Sequence, residues 1–353
     1  MPQVRTGVDI GSTGVRAAEL SMRSLPPQLM RVAQVPLPDG AVTSGEIRDS
    51  AAVSDGLREL WRRGKFRSRE VVLGVANQRV VVREVALPWL SDRELRESLP
   101  FQVQEFVPIP VEEAVLDYHV LEEFEREGRR MVRILLVAAQ KTMIQQIVQA
   151  AEAAKLRPVG LDLVPFAIVR SVGSIEAMEG ETLAGDEAIV DIGADVTSIC
   201  VHAWGVPRFV RMLPSGGRDV TNAVARSLGV SDEEAESLKR NDGASAIEPE
   251  KGEQAVKAAV ARAASFADDI RSSLDFYQSQ MPGARVSRVL LTGGGSKLSG
   301  LKRLLEDRLP AQVLVGHPFH RVNPALDLSD DAMAEAEPLL AVAVGLALPG
   351  VRG

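Results

Sequence analysis

Two copies of one short pattern constrain this chain more than any other feature. Val8-Asp9-Ile10-Gly11-Ser12-Thr13-Gly14 lies near the start, and Val190-Asp191-Ile192-Gly193-Ala194-Asp195-Val196 follows 182 positions later. In each, an apolar or alternating run (Val4, Thr6, Val8, Ile10; then Ala188 to Ile192) reaches an Asp, turns at a Gly and resumes as a strand. That is the pattern of a β-hairpin with a functional tip. Glycine lets a tight turn present backbone N–H groups to an anion, and an Asp at the strand end offers oxygens to a metal ion. Such a tip suits a magnesium-bound phosphate chain. One Asp-Ile-Gly between strands is usually no more than a turn, so the weight lies in what repeats around it. Val15 to Leu20 matches Thr197 to His202, and a third short strand follows at Leu29 to Val35 and at Arg208 to Leu213. Helical faces come next, with Val53, Leu57, Leu60 and Trp61 in one copy and Val220, Ala223, Val224 and Leu228 in the other. Two similar α/β halves, each offering a phosphate-binding turn, account for both.

A chain of 353 residues, 45% hydrophobic and 25% charged, can bury two substantial cores. Its net charge of −7 and the lack of a basic run argue against nucleic acid as a partner. Lone Cys200 excludes an internal disulfide, and four scattered His residues give no zinc spacing, as expected for a reducing cytoplasm. The longest apolar run, Leu339 to Leu348, is far short of the ~20 residues that span a bilayer. Any membrane association is expected to run through a partner.

Between the halves the pattern changes. Val80 to Leu87 is apolar, Pro88 ends it, and Ser91 with Glu94 forms a capping box. Strands Ala114 to Glu122 and Met131 to Ala139, a helix from Lys141 to Ala154 and a strand Val159 to Leu163 complete a βαββαβ order. This reads as a compact insert, 80–163, between a first core at 1–79 and a connecting helix and linker at 164–185. The second half would occupy 186–334, and a last helix, 335–353, would pack back on the first. The stretch Phe101 to Val107 is expected mainly in the insert's core, with the rim of a peptide groove as the other reading. Ser231 and Glu234 cap a helix that sets Glu236 and Lys239 three apart, ordinarily a surface ion pair. Asn241 to Gly252 reads as a loop, and the 3.6-residue period from Val256 through Val260, Phe266 and Ile270 to Tyr277 predicts a core-facing helix. Strand Val286 to Leu291 runs into Gly293-Gly294-Gly295, where backbone can approach a flat or anionic ligand closely.

Taken in order, the two Asp-Ile-Gly hairpins, the Glu-x-x-Lys helix and the late Gly triplet resemble the actin, sugar kinase and DnaK-type chaperone superfamily. Within it the chain is most similar to the PilM family of type IV pilus assembly, over almost its whole length. Pro214-Ser215-Gly216-Gly217, Glu234 to Arg240 and Ala341 to Leu346 also carry the likeness. The insert is similar in kind and position to the 1C-type subdomain of the FtsA cell-division family. The resemblance implies two actin-like, ribonuclease-H-type α/β domains with a small βαββαβ subdomain inserted in the first.

It further implies ATP and magnesium as ligands. Asp9, Gly11, Ser12 and Thr13 would meet phosphate and metal, with Asp191, Gly193, Ala194 and Asp195 on the opposite wall. Asp9 and Asp191 would be the metal ligands, and Gly216 and Gly217 would approach the nucleotide. Glu236 and Lys239 would hold ribose and adenine, and Gly293, Gly294 and Gly295 would back the adenosine. The implied partners are the N-terminal peptide of a PilN-like membrane protein and other pilus assembly proteins, with the chain held peripherally at the inner face of the cytoplasmic membrane. Where hydrolysing relatives carry an acidic or amide side chain before a proline, this chain has Val164 before Pro165. Valine cannot accept a proton, so hydrolysis is expected to be slow or absent unless Asp162 substitutes. The competing expectations are a small-molecule kinase of the sugar-kinase branch and an FtsA-like filament former.

Overall fold

The computed structural model describes residues 4–174, 185–241, 248–281 and 283–350. The first part contains β1 (Val4–Gly11), β2 (Gly14–Ser21), β3 (Gln28–Pro36), the short pair β4 (Val42–Thr43) and β5 (Glu46–Ile47), α1 (Ser50–Gly64) and β6 (Glu70–Val75). Next come β7 (Val81–Pro88), α2 (Asp92–Gln102), β8 (Ala114–Arg126), β9 (Arg129–Gln140), α3 (Lys141–Ala153), β10 (Arg157–Leu163) and α4 (Val164–Val172). The later part contains β11 (Asp186–Ile192), β12 (Thr197–Ala203), β13 (Val206–Leu213), α5 (Gly217–Leu228), α6 (Asp232–Arg240) and α7 (Pro249–Gln280). It ends with β14 (Val286–Thr292), α8 (Leu301–Glu306), β15 (Gln312–Val315), β16 (Asn323–Pro324) and α9 (Asp330–Ala347).

The repeat in the sequence is a repeat in topology. One sheet runs β10-β6-β1-β2-β3-β16 and the other β15-β14-β11-β12-β13, so five strands correspond one to one. In both, the hairpin pairs antiparallel with its third strand, while the next two strands join in parallel on the other side. Strand β10, the counterpart of β15, therefore belongs to the first sheet, and α3 lays Met143, Ile147, Ala150 and Ala151 into that sheet's core beside Val53 and Leu57. The βαββαβ run does not close on itself. Only β7, β8, β9 and α2 form a separate unit, a three-stranded sheet ordered β7-β9-β8 around Leu95, Leu99, Ile134 and Leu136.

Two helices cross between the sheets. Helix α4 follows the first sheet but packs Ala167 and Ile168 against Ile189 and Cys200 of the second. Helix α9 follows the second and packs Ala343, Val344 and Ala347 on Ala18, Leu20 and Leu29 of the first. It starts at Asp330 behind the Ser329 cap, earlier than the sequence pattern predicts. At the crossing a Cβ on Gly345 would collide with the Ala167 carbonyl oxygen.

Three expectations need correction. Val256 and Val260 are 37% and 45% exposed, because the first half of α7 packs Ala255, Ala258 and Ala259 on α5 and α6 and the second sheet's core takes up the helix only from Phe266 onward. In the Phe101 to Val107 stretch the valines are buried and the aromatics are not: Val103 and Val107 fill the small core, while Phe101 is 83% exposed. Of the expected loop 241–252, residues 242–247 lie outside the described residues and α7 takes in the chain from Pro249. The linker expected between Gly173 and Asp186 likewise falls mostly outside them.

Gly345→Ala should lower the stability of the folded chain by roughly 2 kcal/mol, the cost of forcing a methyl group into a packed crossing. Gly350→Ala, with nothing near its Cβ position, should change it by less than about 0.5 kcal/mol. Guanidinium midpoints of the two variants give the comparison; equal midpoints would show that the crossing yields easily.

Candidate functional site

The two hairpins bring their tips to one cleft. In the first, a two-residue turn pairs Gly11 with Gly14 and so sets Asp9 directly opposite Arg16. The Arg16 guanidinium reaches Asp9 Oδ2 and Thr13 Oγ1, each at 3.4 Å. Ser12 is buried and Thr13 exposed at the tip. In the second hairpin the turn is longer, Gly193 to Val196, and the residue opposite Asp191 is Ser198. No base faces Asp191 across its own strand pair. Burial raises both carboxyls; Arg16 opposes the rise at Asp9, but Asp191 is pushed up to about 7, with the charge on Asp9 adding to the burial.

Buried Asp191 and half-buried Asp9, their charges repelling one another and one guanidinium bonded to Asp9, form an oxygen-rich and electron-rich spot. A hard divalent cation that keeps part of its water shell suits such donors. The residues present therefore fit magnesium, with Asp9 and Asp191 as the groups that would hold it.

The floor of the cleft on the second side is the start of α5. Gly217 N–H donates to the Gly193 carbonyl at 3.0 Å and Arg218 N–H to the Ala194 carbonyl at 2.9 Å. A Cβ on Gly216 would lie 2.6 Å from the Ala194 carbonyl oxygen, so the helix can start this close to the tip only with glycine there. Asp195 is held by Arg218 at 2.6 Å.

Lys239 and Glu236 sit beside Gly217 and are not a free surface pair. Lys239 Nζ donates to Glu236 at 2.5 Å, to Thr221 Oγ1 at 2.8 Å and to the Gly217 carbonyl at 3.2 Å. Burial alone would raise Glu236, but hydrogen bonds from Lys239, Thr221 and Arg240 hold it down to about 2. Burial draws Lys239 below the usual amine range against that pairing.

The Gly triplet closes the back. Gly293 has φ +81°, and its Cβ position is taken by Asp191 Oδ1 and the Ile192 backbone, while at Gly295 the Ile192 side chain stands in the way. Glycine is thus required here by the packing of β14 against β11. Val164 is buried and lines, with Asp9 and Gly74, a cavity of about 30 Å³, room for a single water. Asp162 is engaged elsewhere, paired with Arg170 at 2.5 Å and accepting the Leu163 N–H at 2.7 Å.

Sequence reasoning missed Arg16 and Arg218. Arg16 could have been found by counting register across the turn from Asp9. Arg218 carries no local signal, because its carboxylate partners lie 23 and 179 positions away.

Two corresponding sheets joined by crossed helices, with a paired-hairpin cleft between them, define an actin-like fold. The sequence pattern of the family described as type IV pilus assembly protein PilM matches residues 7–351, and the chain belongs to that family. Among solved structures it is similar to a chain of a "PilM-PilN type IV pilus biogenesis complex", at 30% identity, 99% coverage of both chains and a TM-score of 0.84. Similarity to MreB5 of Spiroplasma citri bound to ADP, at 12% identity over 98% of this chain and 95% of that one with a TM-score of 0.54, bears on the fold alone. The cell division protein FtsA of Bacillus subtilis (strain 168) is 23% identical over 264 residues, 68% of this chain. That match spans 58% of the FtsA length. The family assignment does not favour the sugar-kinase or filament-forming alternative.

The Asp191 carboxyl gives a pH test. Its folded-state value lies above the unfolded one, so it favours folding at low pH and that contribution is lost as pH rises through about 7. Without divalent cations, unfolding free energy should fall by about 1 kcal/mol from pH 6 to pH 8 on this account. Asp191→Asn should remove that slope and be the more stable protein at pH 8. Urea titrations in chelator check it, and an unchanged slope in the variant would refute the assignment.

Proposed function

We propose that this chain is a nucleotide-binding scaffold of type IV pilus assembly, which holds magnesium-ATP between its two hairpins and docks the N-terminal peptide of a PilN-like membrane protein on its insert. The observation that carries the nucleotide part is the pair of raised, facing carboxyls, Asp9 and Asp191, at the tips of corresponding hairpins. Bound magnesium would neutralise part of the phosphate charge. Arg16 supplies a positive charge on the first wall, Ser12, Thr13 and the Gly11 and Gly193 backbone line the tips, and Gly216 and Gly217 leave room beside α5. Lys239 and Glu236 stand at the nucleoside end, where Lys239 would exchange its Thr221 or Gly217 partner for the nucleotide, with Gly293 to Gly295 behind.

The partner part rests on the likeness to the solved PilM-PilN chain and on the insert's surface. We take the insert as 81–140, the first domain as the remainder of 4–163 and the second as 186 to about 329, with α9 returning to the first. Strand β8 is the outer strand of the insert sheet; Val115 and Val120 are exposed on it, and Phe101 stands out nearby in sequence on α2. An extended peptide can add to such an edge or pack on its apolar side chains. Access to the membrane would then run through the partner; no helix among the described residues is long and apolar enough to cross a membrane.

Turnover in this reading is slow. Val164 offers no group to orient a water beside Asp9, and the lost acid–base assistance is worth about 10²–10⁴-fold. Asp9→Ala should weaken binding of magnesium-ATP far more than of metal-free ATP, while Lys239→Ala should weaken ATP and ADP alike; calorimetry showing the reverse pattern would overturn both roles. Phe101→Asp with Val115→Asp should abolish co-purification with the PilN-like peptide and leave nucleotide affinity unchanged. Phosphate release by the unmodified protein should stay far below one turnover per minute, and Asp162→Ala should not alter it.

A further inference from the structure

One ion pair joins the two walls of the cleft at its mouth. The Arg218 guanidinium donates from Nε to Asp195 Oδ1 at 2.6 Å and from Nη1 to Asp39 Oδ1 at 3.2 Å. Asp195 belongs to the tip of the second hairpin. Asp39 belongs to the loop after β3, and that loop is tied to the tip of the first hairpin by the Leu37 N–H to Thr13 carbonyl bond at 3.2 Å. On the other side the backbone N–H of Arg218 is itself bonded to the Ala194 carbonyl at 2.9 Å. Both ends of the bridge are therefore fixed to the hairpin tips, and it cannot persist while the tips move apart. Its two ends are unequal. The Asp195 end is 10% exposed and lies within one half, whereas Asp39 is 84% exposed and is the end that must let go.

We propose that Arg218 and Asp39 form a clasp across the phosphate end of the cleft, and that opening this clasp sets the rate at which bound nucleotide leaves. The proposal rests on the nucleotide-binding reading above and adds a residue pair that governs residence time. An exposed ion pair in water contributes little to stability, and its strength falls with salt. Because the Asp39 end is the exposed one, its loss should leave folding intact and act on release. The release rate should rise two- to five-fold in Asp39→Asn, the range an exposed pair supports. It should rise further in Asp39→Arg, where like charges meet. Arg218→Gln should match Asp39→Asn or exceed it, since it also frees Asp195.

The experiment loads the full chain with a fluorescent ADP analogue and magnesium, chases with excess ATP and follows release by stopped flow at low salt and at 0.5 M salt, about ten times the low value. Faster release in both Asp39 variants, together with a salt acceleration present in the unmodified chain and absent in Asp39→Asn, is the expected result. A merely structural role for Asp39 would not move the salt dependence. Release rates equal to that of the unmodified chain in both Asp39 variants would overturn the clasp while leaving nucleotide binding standing. Failure of the unmodified chain to take up the analogue at all would overturn the nucleotide reading and the clasp with it.

Discussion

The architecture depends on how closely α4 and α9 cross. Each helix follows one sheet and packs on the other, so neither sheet can be covered without its neighbour's helix. Gly345 against the Ala167 backbone sets the distance of closest approach, and Gly7 makes the matching concession on β1, where a Cβ would run into the α9 backbone. The exchange brings the first sheet, the two helices and the second sheet together into one packed unit. It also fixes the hairpins tip to tip, because β1 and β11 are the central strands that the two helices cover. The exit of α4 is held as firmly: buried Glu187 accepts the Ser174 N–H at 2.8 Å and contacts His202 Nε2 at 3.1 Å.

From that constraint follows the electrostatic character of the cleft. Two hairpins built on one pattern place their Asp side chains in register, and the crossing forces the two tips toward each other. Their turns differ, however, by two residues. The short turn sets Arg16 against Asp9, and the longer one leaves Ser198 against Asp191. The result is one guanidinium, held by Asp9, for two neighbouring carboxyls, an arrangement unfavourable at neutral pH. In the proposed function a bound cation would relieve the repulsion between them, so stability and ion affinity would be two readings of it.

Much of this was legible in the chain itself, for identifiable reasons. Antiparallel hairpins and amphipathic helices leave local patterns, so β1–β2, β11–β12, the Ser91 capping box and the start of α6 at Ser231 could be read directly. Parallel pairing leaves none: that β10 joins β6 and so leaves the insert depends on residues some 87 positions apart, Arg157 and Glu70, meeting in the fold. Helical period also reports only that a face is apolar. It could not tell Ile270, buried under the second sheet, from Val260 on the same helix, where the neighbouring Ala255 and Ala259 face α5 and α6 and Val260 does not. The late glycines were read as room for a ligand, and at Gly293 and Gly295 the space is filled by the protein's own Asp191 and Ile192.

The insert is tied to both halves, and this bears on how a scaffold of this kind can use its cleft. Through β8, β9 and the run into α3 it is continuous with the first sheet, while its strand β7 lies against β13, the edge of the second sheet. Glu84 sits at that second contact. Burial raises its carboxyl against the pull of Arg133 and of Arg208 on β13, and its Oε1 has no hydrogen-bond partner among the described residues. A buried acceptor without a partner costs about 1–3 kcal/mol, so the contact carries a local cost. The α4–α9 crossing, by contrast, is tightly packed. Met212 of β13 is buried in the first core, with Val210 and Val82 packed on it, so a change in the angle between the halves would be felt by the insert and by that core together.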